Sequence, residues 1–276
     1  NFNTMIEGLR EWERMKVIEF ELEKGQQIQK DFLPGRLPKV PNWEIAICFQ
    51  PAGQVAGDFY DVFKMPNGAV GLVIADVCDK GVGSALYMAL FRSLIRVFSM
   101  QSVADQPDDR QIQQSDREIV RTAVSMTNDY IAQNHGDECM FATLFFGVLD
   151  PQSGELAYIN AGHEPLYVIS PAGIRTALKP TGPAVGLMPS AQFEIQQIHL
   201  HQGDLLLGYT DGVTEARSAE DKIFTRERLQ SLVGTPGQSA ADLLETIKRE
   251  LFAFIDREPR NDDVTMLAVQ RMPATR

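Results

Sequence analysis

Four aspartates stand beside glycines or next to apolar runs, where a carboxylate can reach a ligand. They are Asp58 after Gly57, Asp76 after the apolar run 71–75, Asp211 before Gly212, and Asp262 shortly before the last apolar run. Strand ends converge at one edge of a sheet, and carboxylates gathered there repel one another unless a cation neutralises them. An all-oxygen ligand set selects hard ions such as Mg²⁺ or Mn²⁺. The pattern therefore indicates a candidate divalent-metal site.

Each of these aspartates also has a plainer interpretation. Asp followed by Gly is first of all a turn signature, because both residues tolerate the backbone conformations of tight turns. One such pair is therefore more often structural than functional. Four acidic positions at strand edges strengthen the functional interpretation, but their spacing alone leaves both readings open.

The elements that position these residues begin with a long helix. Residues 2–32 are rich in Glu, Lys, Arg, Gln, Leu and Met and contain no proline. Met5, Leu9, Trp12 and Met15 recur at helical spacing, which predicts an amphipathic face. Prolines at 34, 38 and 41 then end the helix and predict a linker into a separate body.

The body is predicted to be mostly short strands with a few helices. Expected strands lie at 43–49, 69–77, 141–149, 156–161, 166–169, 193–200, 205–210 and 264–270. Expected helices lie at 85–100, which should be largely buried, and at 116–133, 225–233 and 240–257. Short turns imply hairpins, so we expect an α+β fold: an antiparallel β-sandwich flanked by helices in the order α-β-β-α, preceded by the long N-terminal helix.

Composition excludes several classes of function. The 276 residues are 44% hydrophobic, which is sufficient for a large globular domain, and the formal charge is -11. A nucleic-acid backbone would be repelled by this charge, so we expect no nucleic-acid partner. Cys48, Cys78 and Cys139 fit no disulfide or zinc pattern and favour a reducing cytoplasm. Apolar stretches such as 69–75 are much shorter than the ~20 residues of a membrane span.

Six ordered motifs resemble those of the bacterial metal-dependent serine/threonine phosphatases that include the stage II sporulation phosphatase and the stress-response sigma-factor regulator phosphatases. They are GDFYD at 57–61, ADVCDKGV at 75–82, ATLF at 142–145, NAGHEP at 160–165, YTDGVTEA at 209–216 and NDDVT at 261–265. They cover residues 43–271 in the right order. Six motifs in register are a far stronger signal than any single one.

The resemblance implies a role for each aspartate. Asp76 would bridge two Mn²⁺ or Mg²⁺ ions, with the Val77 carbonyl oxygen as a further ligand. Asp211 and Asp262 would complete one metal site, and Asp58 would serve the other. A water activated by both ions would attack the phosphorus of phosphoserine or phosphothreonine in line. The implied substrate is a regulatory phosphoprotein, in particular an anti-sigma-factor antagonist.

Some residues of the motifs are assigned structural roles. Asp61 and Asp263 are expected to hydrogen-bond the backbone of their local turns, and His163 is expected to support the site or its turn. Eukaryotic relatives carry a His two residues after the bridging Asp, whereas Cys78 stands there in this chain. The resemblance therefore supplies no general acid.

The resemblance also divides the chain. Residues 1–38 would be a helical linker and dimerisation segment, and residues 39–276 the phosphatase domain. The start within a helical pattern suggests an effector domain of a larger signalling protein, driven by an upstream sensor or response-regulator domain. A homodimer through the N-terminal helix is expected, although the apolar spacing does not hold a strict heptad.

Two alternatives remain open on the sequence. The domain could be a catalytically silent module that binds a phosphoprotein or transmits a signal, or an interaction module in which the N-terminal helix acts and the sandwich is a platform. Loss of the aspartates would favour the silent module, and all four are present.

Overall fold

A computed structural model describes residues 2–104, 112–233, 238–256 and 260–272, and within these it contains two five-stranded antiparallel sheets. The first sheet has the order β1 (Trp43–Gln50), β10 (Val264–Arg271), β9 (Leu205–Tyr209), β6 (Leu166–Ser170) and β7 (Gly173–Leu178). The second has the order β2 (Phe59–Lys64), β3 (Val70–Val77), β4 (Ala142–Leu149), β5 (Glu155–Ala161) and β8 (Gln196–His199). The pairs β2–β3, β4–β5 and β6–β7 are hairpins, as expected, whereas helices separate β3 from β4 and β9 from β10.

Helices cover the outer face of each sheet. The α-helices of the described residues are α1 (Phe2–Phe32), α2 (Val82–Ala104), α3 (Ile112–Asn134), the single turn α4 (Asp211–Thr214), α5 (Arg226–Leu232) and α6 (Ala240–Ile255). The buried apolar residues of α2 and α3 share a core with the second sheet, and those of α5 and α6 share a core with the first. The predicted α-β-β-α sandwich after a long N-terminal helix is thus confirmed.

The central strand β3 shows why an uninterrupted apolar run forms a strand here. Leu72 and Ile74 point into the core between the sheets, where they join Leu206 and Leu267. The alternate residues of β3 belong to the core beneath α2 and α3. Because both faces are covered, the strand has no polar alternation.

Helix α2 packs onto the second sheet through one face. Met88, Phe91 and Ile95 are fully buried, whereas Leu86 is 67% exposed and Val97 is 58% exposed. The helix is therefore less buried than its composition predicts. Its segment 82–102 is long and apolar enough to span a membrane by length and composition, a test that core helices also pass.

The C-terminal turns of α1 lie against the body. The buried Gln29 side chain donates to the Ala56 carbonyl oxygen at 2.7 Å and accepts from the Ala56 N–H at 2.9 Å. Leu33, just after the helix, is buried in the core of the second sheet. The long helix is thus tied at one end to the loop 51–58.

Candidate metal centre

Strand register brings the four predicted aspartates to one edge of the sandwich. Phe59 pairs with Ala75 across β2 and β3, so Asp58 and Asp76 are neighbours at that end of the second sheet. Tyr209 pairs with Met266 across β9 and β10, so Asp211 and Asp262 flank the corresponding end of the first sheet.

Asp58 joins the two sheets at this edge. Its carboxylate is 2% exposed, and its Oδ2 accepts hydrogen bonds from the Thr210 hydroxyl at 2.7 Å and the Thr265 hydroxyl at 2.5 Å. Burial, followed by the negative charge of Asp76, raises the pKa of Asp58 well above its usual range. The two threonines lie in the 209–216 and 261–265 motifs and hold this carboxylate in a fixed position.

Asp76 and Asp211 both have raised pKa values. Burial and then the charges of Asp211, Asp262 and Asp263 raise the pKa of Asp76 to about 7. Burial and then the charge of Asp262, with smaller effects of two glutamates, raise the pKa of Asp211 to about 6. These carboxylates are therefore close enough to oppose one another's ionisation, which a divalent cation would reverse.

Asp262 has an internal counter-ion. Lys80 Nζ donates to Asp262 Oδ2 at 2.8 Å and to the Asn261 carbonyl oxygen at 2.5 Å. In the conformation shown, no three His, Cys, Asp or Glu side chains of the described segments lie close enough together to hold a metal ion. The Lys80–Asp262 pair is largely exposed, with side chains 64% and 41% accessible. Such a pair is worth at most about 1 kcal/mol, so Asp262 can exchange Lys80 for a metal ion at small cost.

Two glycines leave room for backbone at the cluster. A Cβ on Gly57 would lie 2.9 Å from the Val77 carbonyl oxygen, and a Cβ on Gly212 would overlap the Asp263 carbonyl oxygen. Glycine at 57 thus lets the backbone pass close to the Val77 oxygen without a steric clash. Hard carboxylate and carbonyl oxygens at one partly solvated edge fit the coordination of Mg²⁺ or Mn²⁺.

Asp263 does more than its sequence pattern indicates. Its carboxylate accepts hydrogen bonds from the backbone N–H of Ala52 at 2.7 Å and of Gly57 at 2.9 Å. The expected role of Asp263 in its own turn is therefore wrong, because its carboxylate binds the backbone of the distant loop 51–58. This contact sets the position of the loop that carries Asp58.

The expected role of Asp61 in a local turn is corrected by the structure. The Asp61 carboxylate is 1% exposed and forms ion pairs with Arg92 and Arg96 of α2, each at 3.0 Å. Periodicity did not reveal this pairing, because the arginines lie some 30 residues further along the chain.

His163 contacts a neighbour of Asp76 and so has the supporting role predicted for it. Its Nδ1 lies 2.9 Å from the Thr143 hydroxyl, and Thr143 pairs with Asp76 across β3 and β4. The His163 N–H donates to the Asn160 side chain. Burial lowers the pKa of His163 to about 3, so its ring is neutral near pH 7.

Divalent cations are expected to stabilise this protein, and more strongly at pH 8 than at pH 5.5. The folded-state pKa values of Asp76 and Asp211, about 7 and 6, lie above the usual 3.8. The stabilising contribution of their protonation is present below pH 4 and is lost as the pH rises through 6 to 7. Metal binding to the folded protein offsets that loss and adds about 2.7 kcal/mol per site to the free energy of unfolding when the free metal concentration is 100 times Kd. Protons compete with the metal at pH 5.5.

Calorimetry with Mn²⁺ or with EDTA at both pH values measures this effect. The melting temperature should rise with Mn²⁺, with the larger increment at pH 8. An unchanged midpoint at saturating metal, or a larger increment at pH 5.5, would contradict an acidic cluster that binds cations.

Comparisons with known proteins identify a family and several relatives of this chain. The family model described as stage II sporulation protein E (SpoIIE) matches residues 66–272. Protein IcfG of Synechocystis is 47% identical over 262 residues, which cover 91% of this chain and 41% of IcfG. Phosphoserine phosphatase RsbU of Bacillus subtilis is 26% identical over 256 residues, or 92% of this chain and 71% of RsbU. The chain thus spans less than half the length of IcfG.

Solved structures agree on the fold. The SiaA-PP2C domain of Pseudomonas aeruginosa superimposes with a TM-score of 0.71 at 20% sequence identity, covering 93% of this chain and 98% of that domain. At this identity the likeness concerns the fold alone, which is that of the PP2C phosphatases.

Proposed function

The chain belongs to the stage II sporulation protein E family, as its motifs predicted, and on that premise we propose that it is a metal-dependent protein serine/threonine phosphatase. The single observation that carries the proposal is the meeting of Asp58, Asp76, Asp211 and Asp262 at one edge of the sandwich. Three of these carboxylates have pKa values raised by burial and by one another. Such a cluster requires cations to be fully ionised at neutral pH.

We assign the ligand set from these residues. Asp76 and the Val77 carbonyl oxygen lie where β3 ends, and Asp211 and Asp262 come from the opposite sheet. Asp58 serves the second ion. When bound, two Mg²⁺ or Mn²⁺ ions supply an activated water and neutralise charge on the phosphoryl oxygens.

The remaining residues hold this set in place. Thr210 and Thr265 orient Asp58, Asp263 fixes the loop that carries it, and Thr143 links His163 to the strand position opposite Asp76. Thr143 and the neutral His163 add no charge to the cluster. Cys78 accepts a hydrogen bond from the Phe141 N–H, and burial raises the pKa of its thiol.

The proposed substrate is phosphoserine or phosphothreonine on a regulatory protein, in particular an anti-sigma-factor antagonist. Its support is the likeness to RsbU, whose name is phosphoserine phosphatase. Assays on candidate phosphoproteins from the same genome test this choice. We place the reaction in the cytoplasm, with which three free cysteines agree.

One experiment separates the enzyme from a catalytically silent module. The purified chain should hydrolyse p-nitrophenyl phosphate with Mn²⁺ and lose this activity in EDTA. Absence of turnover by folded, Mn²⁺-loaded protein would favour the silent phosphoprotein-binding or signal-transmitting module.

We further propose that residues 1–38 form a dimerisation and signal-input segment, acted on by an upstream sensor or response-regulator domain, ahead of a phosphatase domain at 39–276. Leu9, Trp12 and Met15 are 52%, 55% and 64% exposed, and Val17 and Ile18 on other sides of α1 are exposed too. The predicted single amphipathic face is therefore not found, and several apolar side chains lack a partner within the described chain. Met5, which the predicted face includes by sequence, has a side chain outside the described set. The Gln29–Ala56 contact supports coupling, because it joins α1 to the loop that carries Asp58.

Light scattering should find a dimer for residues 1–276 at high micromolar concentration and a monomer for residues 39–276. Phosphatase assays with Mn²⁺ should show that the truncation also alters activity. Truncation also removes the Gln29 and Leu33 contacts, so Trp12→Glu serves as the matched variant that alters only an exposed apolar side chain. It too should be monomeric. A full chain that is monomeric, and a truncation that changes neither mass nor activity, would make the helix a passive linker.

A further inference from the structure

A cleft of about 200 Å³ opens beside the carboxylate cluster. Its lining includes Gly212 and Asp262, which belong to the aspartate motifs, and Ile255 at the end of α6. Lys80, Arg217 and Arg260 line it together with Glu215. Three cations thus gather at one cleft in a chain whose net charge is -11. The aspartate ligand assignment gives this cleft no role.

The three cations differ in how far they are already neutralised. Lys80 is paired with Asp262 at 2.8 Å. Arg217 is paired with Asp221 at 2.6 Å, but these side chains are 45% and 79% exposed, so water screens the pair. Arg260 forms no ion pair with any residue that the structure describes, and its guanidinium lies 5.8 Å from the centre of the Phe252 ring. Arg260 therefore has donors available to an incoming anion.

The position of the cleft indicates what enters it. The cleft meets the aspartate cluster at Asp262 and extends to Arg260, so a residue next to a phosphoserine bound at the aspartates can reach Arg260. Among the residues that line the cleft, Glu215 is the one carboxylate besides the Lys80-paired Asp262, and two arginines line it as well. A carboxylate is favoured there over a basic side chain, and guanidinium groups bind carboxylates through paired hydrogen bonds.

We propose that Arg260, assisted by Arg217, is a specificity determinant that binds an acidic side chain next to the phosphoserine of the substrate protein. This inference rests on the proposed phosphatase function and specifies the chemistry of its substrate. The subsite also draws an anionic phosphoprotein toward an otherwise acidic molecule, because local cations attract it where the net charge repels it.

Two phosphoserine peptides test the proposal, one with Asp on both sides of the phosphoserine and one with Ala. The Mn²⁺-loaded full chain should hydrolyse the acidic peptide with a kcat/KM about 10-fold higher, a preference that weakens at high salt. Arg260→Gln should reduce the ratio of the two kcat/KM values to about 1. Arg249→Gln on α6, whose side chain is 70% exposed, is the matched control and should keep the preference.

The outcomes separate this proposal from the one it rests on. If the wild-type chain hydrolyses both peptides equally, or if Arg260→Gln keeps the acidic preference, the subsite is wrong while the phosphatase function stands. If the wild-type chain releases phosphate from neither peptide nor p-nitrophenyl phosphate, the phosphatase function itself fails, and the subsite with it.

Discussion

Asp76→Asn and Asp211→Asn are each expected to lower Mn²⁺-dependent phosphate release at least ~100-fold, because loss of one ligand disrupts water activation and phosphoryl charge stabilisation together. Asn keeps the shape of Asp and removes a charge that its neighbours oppose. Burial and the other carboxylates already raise the pKa of Asp76 to about 7 and of Asp211 to about 6. The metal-free variants should therefore melt no lower than the wild type.

This combination of results distinguishes a ligand from a structural aspartate. Substitution of a structural aspartate would lower both the activity and the melting temperature of the protein. Asp137→Asn, at an exposed position in the turn after α3, is the control and should change neither. Near-normal turnover by folded Asp76→Asn or Asp211→Asn protein would refute the ligand assignment.

Asp61→Ala is expected to lower the free energy of unfolding by about 3–5 kcal/mol, the usual cost of removing one partner of a buried ion pair. Asp61 is 1% exposed and neutralises Arg92, whose side chain is 11% exposed, together with Arg96. The substitution leaves two cations between β2 and α2 without their carboxylate. Urea denaturation followed by circular dichroism measures the loss.

An exposed ion pair provides the control for this prediction. Glu19 pairs with Lys16 on α1 with side chains 50% and 56% exposed, so Glu19→Ala should cost at most about 1 kcal/mol. Asp61→Asn should also reduce activity less than Asp58→Asn. The Asp61 carboxylate pairs with two arginines of α2, whereas Asp58 is a proposed metal ligand. A loss below about 1 kcal/mol for Asp61→Ala would contradict the buried ion pair. The reverse order of activities would mean that the wrong carboxylate of the 57–61 motif has been chosen as a metal ligand.

Local pattern was sufficient for most of the fold. Apolar runs and turn residues predicted β3, β4, β9 and β10 to within about two residues, because each is a buried strand between turn signals. The four aspartates were selected by the six ordered motifs, because their positions beside glycines and apolar runs left a structural reading open. Strand β7 was not predicted, because it is an edge strand in which Leu178 alone is buried, so its sequence resembles a polar loop.

Contacts between distant segments were beyond the reach of such patterns. Asp61 meets Arg92 and Arg96 only because β2 packs under α2, and Asp263 holds a loop some 200 residues earlier in the chain. The pairing of Lys80 with Asp262 likewise joins residues 182 positions apart. Aspartates with the same sequence signature therefore have different roles, which tertiary packing decides.

Anomalous scattering from crystals grown with Mn²⁺ tests the central claim most directly. The account predicts two manganese peaks at the edge where β3 and β10 meet their loops, with oxygens of Asp58, Asp76, Asp211 and Asp262 and the Val77 carbonyl at about 2.0–2.6 Å. Asp262 should then have left Lys80. Protein saturated with Mn²⁺ that shows no manganese at these aspartates, or shows it bound elsewhere, would contradict the account.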